Sequence, residues 1–479
     1  MGNSIFFNKI MGNKFTAKLS EIAQKSRNNS FIGNVYLTLP RIMQNLFYTV
    51  YGIFKLIEYR RILNDLSEYD QEAILSPKAI KNKQVDRLKL LLHHAIKHSP
   101  YYRNIISKYN IDNIKDLSIL NSLPILSKEK VLENYSNIIT ENSKEFSPII
   151  MSSGGTTGTT LNFMVDKGLY LSKEQQVASY WKRHDYIIGK EKTLMYRAGV
   201  LQSNSKKINK PWRRDYARKM LYLSSYYASD KLYKEYHLLL QKWKPKYMQC
   251  LPSAVFLFAK YLNNNNLSVP LKKVFSASET LHEFQRVEIE KAFSCKVFDH
   301  YGHGEPGIYA AGQCEKSHYH IPSNDVIVEV LEDGNILETS LKNYSMPFIR
   351  YQIGDIIDGV HDDCECGITT PYIKKILGRE SSLIYTGDGR VLSSIGFDQV
   401  FKMNNIILGQ IIQNERGKLK LKLIPGSLFS KNDEKNILNK LKDRVGLNTQ
   451  ITIEYVKEIP KAKSGKYNLV ISNIKEGVI

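Results

Sequence analysis

Hydrophobic residues recur at three- and four-residue spacing in the first quarter of the chain. Between residues 84 and 103, the apolar positions that share one helical face are Leu88, Leu91, Leu92, Ala95 and Ile96. Residues at this spacing lie on one side of an α-helix, so the pattern predicts an amphipathic helix packed against a core. Ser99 and Pro100 are expected to end it, because proline disfavours helical geometry in the residue before it.

Farther along, short apolar runs alternate with helical patterns. Strand-like runs cover residues 192–196, 247–251, 272–276 and 297–301, and helical patterns cover 231–242 and 281–292. This alternation predicts an α/β sheet with helical crossovers, in which ligands bind beyond the carboxyl ends of the strands.

The pattern changes again after about residue 380, where a smaller α+β unit is predicted. Strand-like residues 418–423 and 450–455 flank the helix-like residues 432–445. We therefore predict three parts in this chain of 479 residues: a basic helical leader (1–75), a large α/β domain (76–379) and a small C-terminal domain (380–479).

The leader holds one apolar stretch, residues 42–62. It is interrupted by Gln44, Asn45, Lys55, Glu58, Arg60 and Arg61. A membrane-spanning helix needs about 20 mainly apolar residues, so this stretch is too polar to span. A helix packed on the protein is the favoured interpretation, and a helix lying in a membrane interface is the alternative. The amino terminus has no secretory signal pattern, so we expect a cytoplasmic protein.

Charge points to an anionic partner. Lysine and arginine total 68 against 47 aspartate and glutamate, a net charge of +21. Such an excess attracts nucleotides, nucleic acids or anionic membrane surfaces. No zinc-finger, RNA-recognition or basic heptad signature is present. The positive charge is therefore the only feature of the sequence that favours a nucleic-acid partner. Basic residues concentrate in 206–219, either as a solvated helix face or as a contact for a phosphorylated co-substrate or lipid headgroup.

A glycine- and hydroxyl-rich run is the strongest single chemical signal. It consists of Ser152, Ser153, Gly154, Gly155, Thr156, Thr157, Gly158, Thr159 and Thr160. Glycines let backbone N–H groups approach an anion closely, and the hydroxyls add donors, so the run predicts a phosphate-binding loop. It is not a Walker loop, because no Gly-Lys-Ser/Thr follows. A solvated turn is the alternative.

Further motifs follow this loop in a fixed order. They are Tyr301-Gly302-His303-Gly304-Glu305, Arg350 to Asp355, Gly378-Arg379, and Pro460 to Lys466. This series resembles the adenylate-forming superfamily of acyl-CoA synthetases and adenylation domains. Within it, the chain is most similar to the phenylacetate-coenzyme A ligase branch, and especially to the CapK-like proteins of surface-polysaccharide gene clusters. The resemblance implies a large domain that binds ATP and an acyl group, and a small mobile domain that carries a catalytic lysine.

The resemblance also implies roles for individual residues. The expected nucleotide-binding set is Ser152, Ser153, Gly154, Gly155, Thr156, Thr157, Gly158, Ser278, Glu279, Tyr301, Gly302, Asp355 and Arg379. Tyr301 would lie against the adenine and Asp355 would accept hydrogen bonds from the ribose diol. Glu305 would hold magnesium, a cation that prefers carboxylate and phosphate oxygens.

Two residues are implied to be catalytic, Lys466 and Arg350, while His303 and Gly304 are placed near the acyl pocket. A lysine suits the first role because its compact ammonium on a long stem can bridge two anions. One departure concerns the hinge, where relatives have acidic residues after Gly-Arg but Glu380-Ser381-Ser382-Leu383 follows Arg379 here. This change bears on whether the small domain rotates for a second half-reaction.

The chain has five cysteines: Cys250, Cys295, Cys314, Cys364 and Cys366. In a cytoplasmic protein they are expected to be reduced. Some bacterial relatives of phenylacetate ligase bind structural zinc through a similar set, and the resemblance implies that Cys314, His320, Cys364 and Cys366 form such a site. Zinc accepts sulfur and imidazole ligands in tetrahedral geometry.

The implied function is ATP-dependent activation of a carboxylic acid as an acyl-adenylate, with transfer of the acyl group to a thiol or amine. The expected cofactors are ATP and Mg²⁺, with structural Zn²⁺ and coenzyme A as further candidates. Candidate acceptors are a sugar nucleotide, a lipid-linked sugar, a carrier thiol or coenzyme A, in surface-polysaccharide biosynthesis. Peripheral contact with the inner face of an anionic membrane is a further expectation. The alternatives are an aryl acid-coenzyme A ligase and a non-catalytic protein of this fold that binds nucleotide or lipid.

Overall fold

The computed structural model describes residues 39–153, 161–197, 211–225, 229–379, 383–392, 397, 400, 405–460 and 468–474. The first described part is helical. Its helices are α1 (Arg41–Leu63), α2 (Ser67–Glu72), α3 (Pro77–His98), α4 (Pro100–Ile106), α5 (Lys128–Glu133) and α6 (Tyr135–Ile138), with 3-10 turns at Leu117–Ser122 and Ser143–Phe146.

Helix α3 is the amphipathic helix predicted from residue 84. It begins earlier than the pattern indicated, because the Ser76 hydroxyl accepts a hydrogen bond from the Ala79 N–H and Pro77 fits the first turn. Leu88, Leu91 and other apolar residues of the predicted face are fully buried. The helix ends at Ser99 as expected, and the residues from Pro100 onward form the separate helix α4.

Helix α1 packs one face onto the large domain and leaves the other in solvent. A Cβ atom at Gly52 would lie 2.2 Å from an oxygen of Asp215, so the helix approaches the sheet closely there. The preferred sequence interpretation, a packed helix, is thus borne out for this face. No helix within the described ranges combines the length and apolar character that crossing a bilayer requires.

A nine-stranded sheet forms the centre of the large domain. Its strands are β3 (Thr193–Arg197), β4 (Trp212–Asp215), β5 (Met220–Ser224), β6 (Tyr247–Cys250), β7 (Lys273–Ala277), β8 (Val297–Tyr301), β9 (Ala311–Gln313), β10 (Tyr319–His320) and β14 (Tyr372–Ile373). Their order across the sheet is β14-β10-β9-β8-β7-β6-β3-β5-β4. Strands β5, β3, β6, β7 and β8 are mutually parallel. The predicted α/β sheet is therefore confirmed.

Helices cover both faces of this sheet. They are α7 (Lys167–Arg183), α8 (Asp230–Trp243), α9 (Pro252–Asn264) and α10 (Glu283–Phe293). One face forms a core with α8, α9 and α10, which includes Leu194 and Phe258. The other face packs aromatic residues such as Tyr180 of α7 against Phe275. Burial on both faces explains the nearly continuous apolar strand sequences.

Two smaller sheets position candidate site residues. A hairpin of β1 (Ile149–Ser152) and β2 (Asn162–Val165) pairs Ser152 with Asn162 and so brackets the glycine-rich run. The second sheet is antiparallel, in the order β11 (Val326–Val330), β12 (Asn335–Ser340), β13 (Tyr351–Ile357) and β15 (Ile376–Arg379). Its register places Asp355 opposite Arg379, so two motifs 24 positions apart meet on neighbouring strands.

The C-terminal part has its own core. Strands β18 (Ile406–Glu415), β19 (Lys418–Pro425), β20 (Gln450–Tyr455) and β21 (Val470–Ser472) form a sheet in the order β20-β19-β18-β21, and helix α11 (Lys431–Val445) packs on it. A two-stranded sheet of β16 (Ile384–Tyr385) and β17 (Val391–Leu392) precedes them. The predicted α+β unit is confirmed, whereas its mobility and the boundaries at residues 75 and 379 stay predictions.

Candidate active site

The carboxyl ends of four parallel strands meet at one edge of the large sheet. Strands β3, β6, β7 and β8 end at Arg197, Cys250, Ala277 and Tyr301. Loops beyond such an edge form the usual ligand crevice of α/β sheets. The motif that begins at Tyr301 therefore lies where the sequence placed it, at the end of a central strand.

A hydrogen-bonded triad joins three of the predicted nucleotide-binding residues. The Tyr301 hydroxyl donates to Asp355 Oδ2 at 2.7 Å, and Arg379 Nε donates to Asp355 Oδ1 at 3.0 Å. Burial, followed by the Asp355 charge, raises the pKa of Tyr301, so the phenol stays protonated as a donor. The Arg379 side chain is 49% exposed to solvent. The Asp355 side chain is only 8% exposed, so a ribose diol would reach its carboxylate by displacing one of these partners.

His303 is clamped between two carboxylates. Its Nε2 lies 3.0 Å from Glu338 Oε2, and its Nδ1 lies 3.5 Å from Glu305 Oε2. Burial opposes charge on His303, but Glu338 and Glu305 outweigh it and raise its pKa to about 10. For Glu305, burial opposes ionisation and His303 outweighs it, which lowers the carboxyl pKa. The cluster therefore keeps Glu305 as a carboxylate, the form that binds a hard cation.

Lys173 of α7 completes this cluster from the opposite side. Its Nζ donates to the carbonyl oxygens of Gly304 at 2.9 Å and Glu305 at 3.1 Å. Burial lowers the pKa of Lys173 to about 8, although Glu305 and Glu338 oppose that effect. Sequence reasoning missed Lys173 and Glu338. We call Tyr301, His303, Glu305, Asp355 and Arg379 the paired cluster, because each of them has a charged or hydrogen-bonded partner.

Glycine is required at one position of this motif. A Cβ atom at Gly302 would lie 1.8 Å from the Tyr309 carbonyl oxygen, so no larger residue fits there. At Gly304 nothing lies within 4 Å of such an atom, and its carbonyl accepts the Lys173 hydrogen bond instead. The expected acyl-pocket role of His303 and Gly304 stays a prediction, since the His303 ring is occupied by Glu338 and Glu305.

The first two residues of the glycine-rich run, Ser152 and Ser153, are described, and both bind residues that follow the run. The Ser152 hydroxyl donates to Asn162 Oδ1 at 2.6 Å, and Leu161 N–H donates to the Ser153 hydroxyl at 3.1 Å. The loop residues Gly154, Gly155, Thr156, Thr157 and Gly158 lie outside the described residues, as do Lys466 and the altered hinge residues 380–382. Their predicted roles stay predictions.

Ser278 and Glu279 follow β7 at the same sheet edge. Ser278 adopts a left-handed backbone conformation (φ 73°), which turns the chain sharply after the strand. Glu279 Oε2 accepts a hydrogen bond from the Ser253 N–H at 2.9 Å. The structure therefore brings this segment to the crevice, next to the start of α9.

The Arg350 side chain is held by contacts within the protein. Its guanidinium binds Glu329, with Nε 3.0 Å from Oε1, and also donates to the Leu123 carbonyl. Its backbone carbonyl accepts a hydrogen bond from the Leu126 N–H. These contacts tie β11 to the segment before α5, and they favour a positioning role. The catalytic role stays a prediction.

A cluster of sulfur and imidazole groups lies beside the central sheet. The ligand atoms of Cys314, His320, Cys364 and Cys366 are all within 4.8 Å of one another. Cys314 Sγ and Cys364 Sγ are 3.9 Å apart, far longer than a disulfide bond, and Cys366 Sγ lies 3.2 Å from His320 Nε2. In a zinc tetrahedron with bonds of about 2.3 Å, ligand atoms are separated by about 3.8 Å. The donor set and its spacing therefore fit a zinc ion.

The orientation of His320 also fits a metal ligand. Its Nδ1 lies 3.0 Å from the Thr370 carbonyl oxygen, so that nitrogen carries the proton and Nε2 is left with a free lone pair. Burial lowers the pKa of His320 to about 4, which keeps the ring neutral. His318, which sequence reasoning missed, places Nδ1 3.3 Å from Cys364 Sγ. Its spacing from Cys314 gave no signal that distinguished it from a surface histidine.

The fold of the chain is that of the adenylate-forming ligases. Structures of 2-hydroxyisobutyryl-CoA ligase in the postadenylation state, one with 2-HIB-AMP and one with R3-HIB-AMP, match with TM-scores of 0.65 at 16% and 15% identity. Each match covers 84% of this chain and 92% of the ligase. An open conformation of the same ligase with 2-HIB-AMP and CoA matches with a TM-score of 0.51 over 84% of this chain and 93% of the ligase.

Two sequence relatives narrow the class. Protein CapK of Staphylococcus aureus is 25% identical over 472 residues, covering 92% of this chain and 99% of CapK. Phenylacetate-coenzyme A ligase of Thermus thermophilus is 21% identical over 436 residues, covering 81% of this chain and 95% of the ligase. Residues 384–473 match the family described as the CapK C-terminal domain. The chain is thus a homologue of both proteins, and the resemblance drawn from the motif series is confirmed.

Proposed function

We propose that this protein activates a carboxylic acid with ATP. The acid's carboxylate oxygen attacks the α-phosphate, the bond from the α-phosphate to the bridging oxygen breaks, and pyrophosphate leaves with that electron pair. The product is an acyl-adenylate with AMP as its leaving group. The observation that carries the proposal is the hydrogen-bonded triad of Tyr301, Asp355 and Arg379 beside the ionised Glu305.

This arrangement supports the proposed chemistry because phosphoryl transfer depends mainly on positioning and charge stabilisation. Asp355 would bind the ribose hydroxyls while Tyr301 lies against the base. A magnesium ion held at Glu305 would neutralise phosphate charge. Lys466 would approach the reacting carboxylate and α-phosphate as a single cation, and the run from Ser152 to Gly158 would donate hydrogen bonds to the phosphates.

The acyl group would then pass to a thiol or amine. Coenzyme A is one candidate, because the phenylacetate ligase is named for it and a ligase of this fold was captured with CoA. A sugar nucleotide, a lipid-linked sugar or a carrier thiol in surface-polysaccharide biosynthesis is the other, and it rests on the likeness to CapK alone.

The test is pyrophosphate release by the full chain with ATP and magnesium, across aryl, fatty, hydroxy and dicarboxylic acids. We expect release with one acid class and its loss in Lys466→Ala, while Lys461→Ala serves as the matched control. ATP binding without release from any acid, in the presence of each candidate acceptor, would contradict catalysis and leave a nucleotide-binding protein.

We also propose that Cys314, His320, Cys364 and Cys366 bind one structural zinc ion. The support is the donor set, its spacing and the orientation of His320. Bound zinc would tie the β9 to β10 hairpin to the segment before β14, beside the strand that carries Tyr301. Three thiolates and one imidazole leave no open position for a substrate, so the ion would not be catalytic.

A third proposal concerns helix α1, which we place on an anionic membrane surface. Its solvent face is apolar at helical spacing, with Ile42 81%, Leu46 54% and Ile53 47% exposed. Arg60 and Arg61 are exposed at its end, and the whole chain carries a net charge of +21. An apolar stripe with flanking cations fits the interface of an anionic bilayer.

Cosedimentation with vesicles tests this surface. We expect binding to phosphatidylglycerol vesicles, weaker binding to phosphatidylcholine, and loss of binding in the double variant Leu46→Gln/Ile53→Gln. Leu428→Gln, which changes an even more exposed apolar residue in the C-terminal part, is the control. Equal binding by the double variant would contradict the proposal, and a dimer that the double variant dissociates in analytical ultracentrifugation would assign the stripe to a second copy.

A further inference from the structure

Arg197 is a charged residue at the end of an inner strand of the central sheet. It ends β3, which lies between β5 and β6. Among the described residues no carboxylate lies within ion-pair distance, and its Nε has no hydrogen-bond partner. Burial lowers the pKa of Arg197, although Cys250, Tyr309 and Glu279 oppose that effect. Arg197 as a residue is only half-buried. Its strand ends at the edge of the sheet where the ligand crevice of such folds lies.

Such a group is costly to leave unpaired. An isolated buried charge destabilises a protein unless an anion neutralises it. Two other arginines of the large domain are neutralised by a carboxylate of the protein. Arg350 binds Glu329, and Arg218 binds Asp215 with Nε 2.6 Å from Oδ2. Arg197 lacks this arrangement, so its anion is expected to come from outside the chain.

Two further buried polar atoms without a hydrogen-bond partner among the described residues lie at the same edge of the sheet. Burial, and then the charge of Arg197, lower the pKa of His300 to about 3, so its ring is neutral, and its Nδ1 is one of these atoms. The Ser253 hydroxyl is the other, while its backbone N–H is bound to Glu279. We call Arg197, Ser253 and His300 the Arg197 cluster. The guanidinium and the Ser253 hydroxyl can both donate hydrogen bonds to an anion.

Arg197 itself lies apart from Tyr301 of the paired cluster along the edge of the sheet. Strand β3 lies three positions from β8, and neighbouring strands are about 4.8 Å apart, so the strand ends at Arg197 and Tyr301 are separated by about 14 Å. Tyr309 contributes to the charge environment of Arg197, and the centre of its ring lies 5.3 Å from Lys173 Nζ. Arg197 therefore lies at the same edge of the sheet as the predicted ribose site, three strands away from it.

We propose that Arg197 binds a second anionic group on the acid that this protein activates. This inference rests on the proposed function and names its substrate class: an acid that carries, beyond the reacting carboxylate, a further carboxylate or a phosphate. The planar guanidinium can donate two parallel hydrogen bonds to either group. An acid of the same length without a second anionic group, called a neutral acid below, would leave Arg197 without an anion.

The test compares matched pairs of acids in the pyrophosphate-release assay. The carboxylate arm pairs succinate with butyrate, adipate with hexanoate and terephthalate with benzoate, and the phosphate arm pairs 3-phosphoglycerate with glycerate. We expect the anionic member of one arm to be preferred by at least about 100-fold in kcat/KM, since sites built to bind a polar group reject analogues without it. Arg197→Gln should abolish that preference and leave the KM for ATP unchanged.

Controls separate recognition from folding. Arg197→Lys should restore part of the preference, and Lys182→Gln removes one surface charge as a matched control. Because Arg197→Gln removes an unpaired buried charge, its melting temperature should equal or exceed that of the wild-type protein. A preference for neutral acids in the wild-type protein, or an Arg197→Gln variant that raises the KM for ATP, would overturn the inference.

A binding measurement keeps the two proposals apart. Calorimetric titration of the same acids into the wild-type protein without ATP needs no catalysis. Binding of the anionic acid that is lost in Arg197→Gln supports the inference even if no acid releases pyrophosphate. Catalysis of neutral acids, with no calorimetric difference between wild type and Arg197→Gln, would leave the proposed function standing and reject the role of Arg197.

Discussion

The two ends of the crevice differ in how their charges are balanced. In the paired cluster, Asp355 already holds Tyr301 and Arg379, and His303 already holds two carboxylates. In the Arg197 cluster, Arg197 Nε, the Ser253 hydroxyl and His300 Nδ1 have no hydrogen-bond partner among the described residues. Side chains that are already held in place by protein partners suit a ligand that is the same in every reaction, such as a nucleotide. A side chain without a partner favours only those ligands that carry the opposite charge. The contrast therefore separates a general nucleotide site from a specificity site.

The largest expected effect on catalysis comes from breaking the paired cluster at its centre. Asp355→Asn should lower kcat/KM for ATP by about 100-fold, because a charge-assisted hydrogen bond is worth about 1.5–3 kcal/mol. The KM for the acid should change little. Steady-state pyrophosphate release at varied ATP measures this effect. The control is Asp358→Asn, which changes the residue that directly follows the same strand. An equal rise in both KM values would mean that the two clusters are not separate.

The next effect concerns the sulfur cluster that flanks β8. Cys364→Ser should remove about one zinc ion per chain, since the site needs all four ligands. It should also lower the free energy of unfolding by about 3–5 kcal/mol, because metal binding is coupled to folding. Metal analysis by plasma emission and urea denaturation measure both. Cys295→Ser, outside the cluster, should change neither, and equal zinc content in both variants would contradict the site.

A smaller, pH-dependent effect tests the clamp on His303. Its folded pKa of about 10 lies above the unfolded value, so the stabilisation is complete below about pH 6.5 and is lost as the pH rises through 10. His303→Gln should therefore destabilise the protein by about 3 kcal/mol at pH 7 and by much less near pH 10.

Urea denaturation between pH 6.5 and 10 measures that difference. The control is His93→Gln, which removes a histidine whose partner Asp112 is 83% exposed. Solvent screens such a pair, so its loss should cost less than about 1 kcal/mol at every pH. A His303→Gln difference that stays constant with pH would show that His303 is not held as a cation.

Motifs identified the residues of the paired cluster, and the three-dimensional fold supplied two of their partners. Tyr301, Glu305, Asp355 and Arg379 stand out because each belongs to a short run with glycine neighbours. Lys173 and Glu338 carry no such signal. They lie 131 and 35 positions from their partners and meet them only because α7 and β12 pack beside the strand end.

Arg197 shows a different limit of sequence reasoning. Its position at the end of a predicted strand could be read from the apolar run before it, but its lack of a counter-ion could not. That property depends on which carboxylates the fold brings near, and Glu279, the acidic residue that influences its charge, is bound to Ser253 instead. The helix boundaries at Ser76 and Ser99, by contrast, follow from local capping and proline geometry.

The smallest effect expected is that of Arg379→Gln. Half of this side chain is exposed, so solvent already weakens its contribution at Asp355. We expect the KM for ATP to rise by about 3- to 10-fold, well below the effect of Asp355→Asn. Nucleotide titration in the absence of acid measures it, and a loss as large as that of Asp355→Asn would assign Arg379 to direct phosphate binding.

Detection of the acyl-adenylate tests the central claim most directly. The full chain would be incubated with ATP, magnesium and the acid that the paired-acid assay selects, without an acceptor, and the quenched mixture would be examined by mass spectrometry. The account predicts an acyl-AMP of the matching mass, formed with pyrophosphate and absent with Lys466→Ala. Formation of ADP and phosphate, or of no adenylate from any acid that binds, would contradict it.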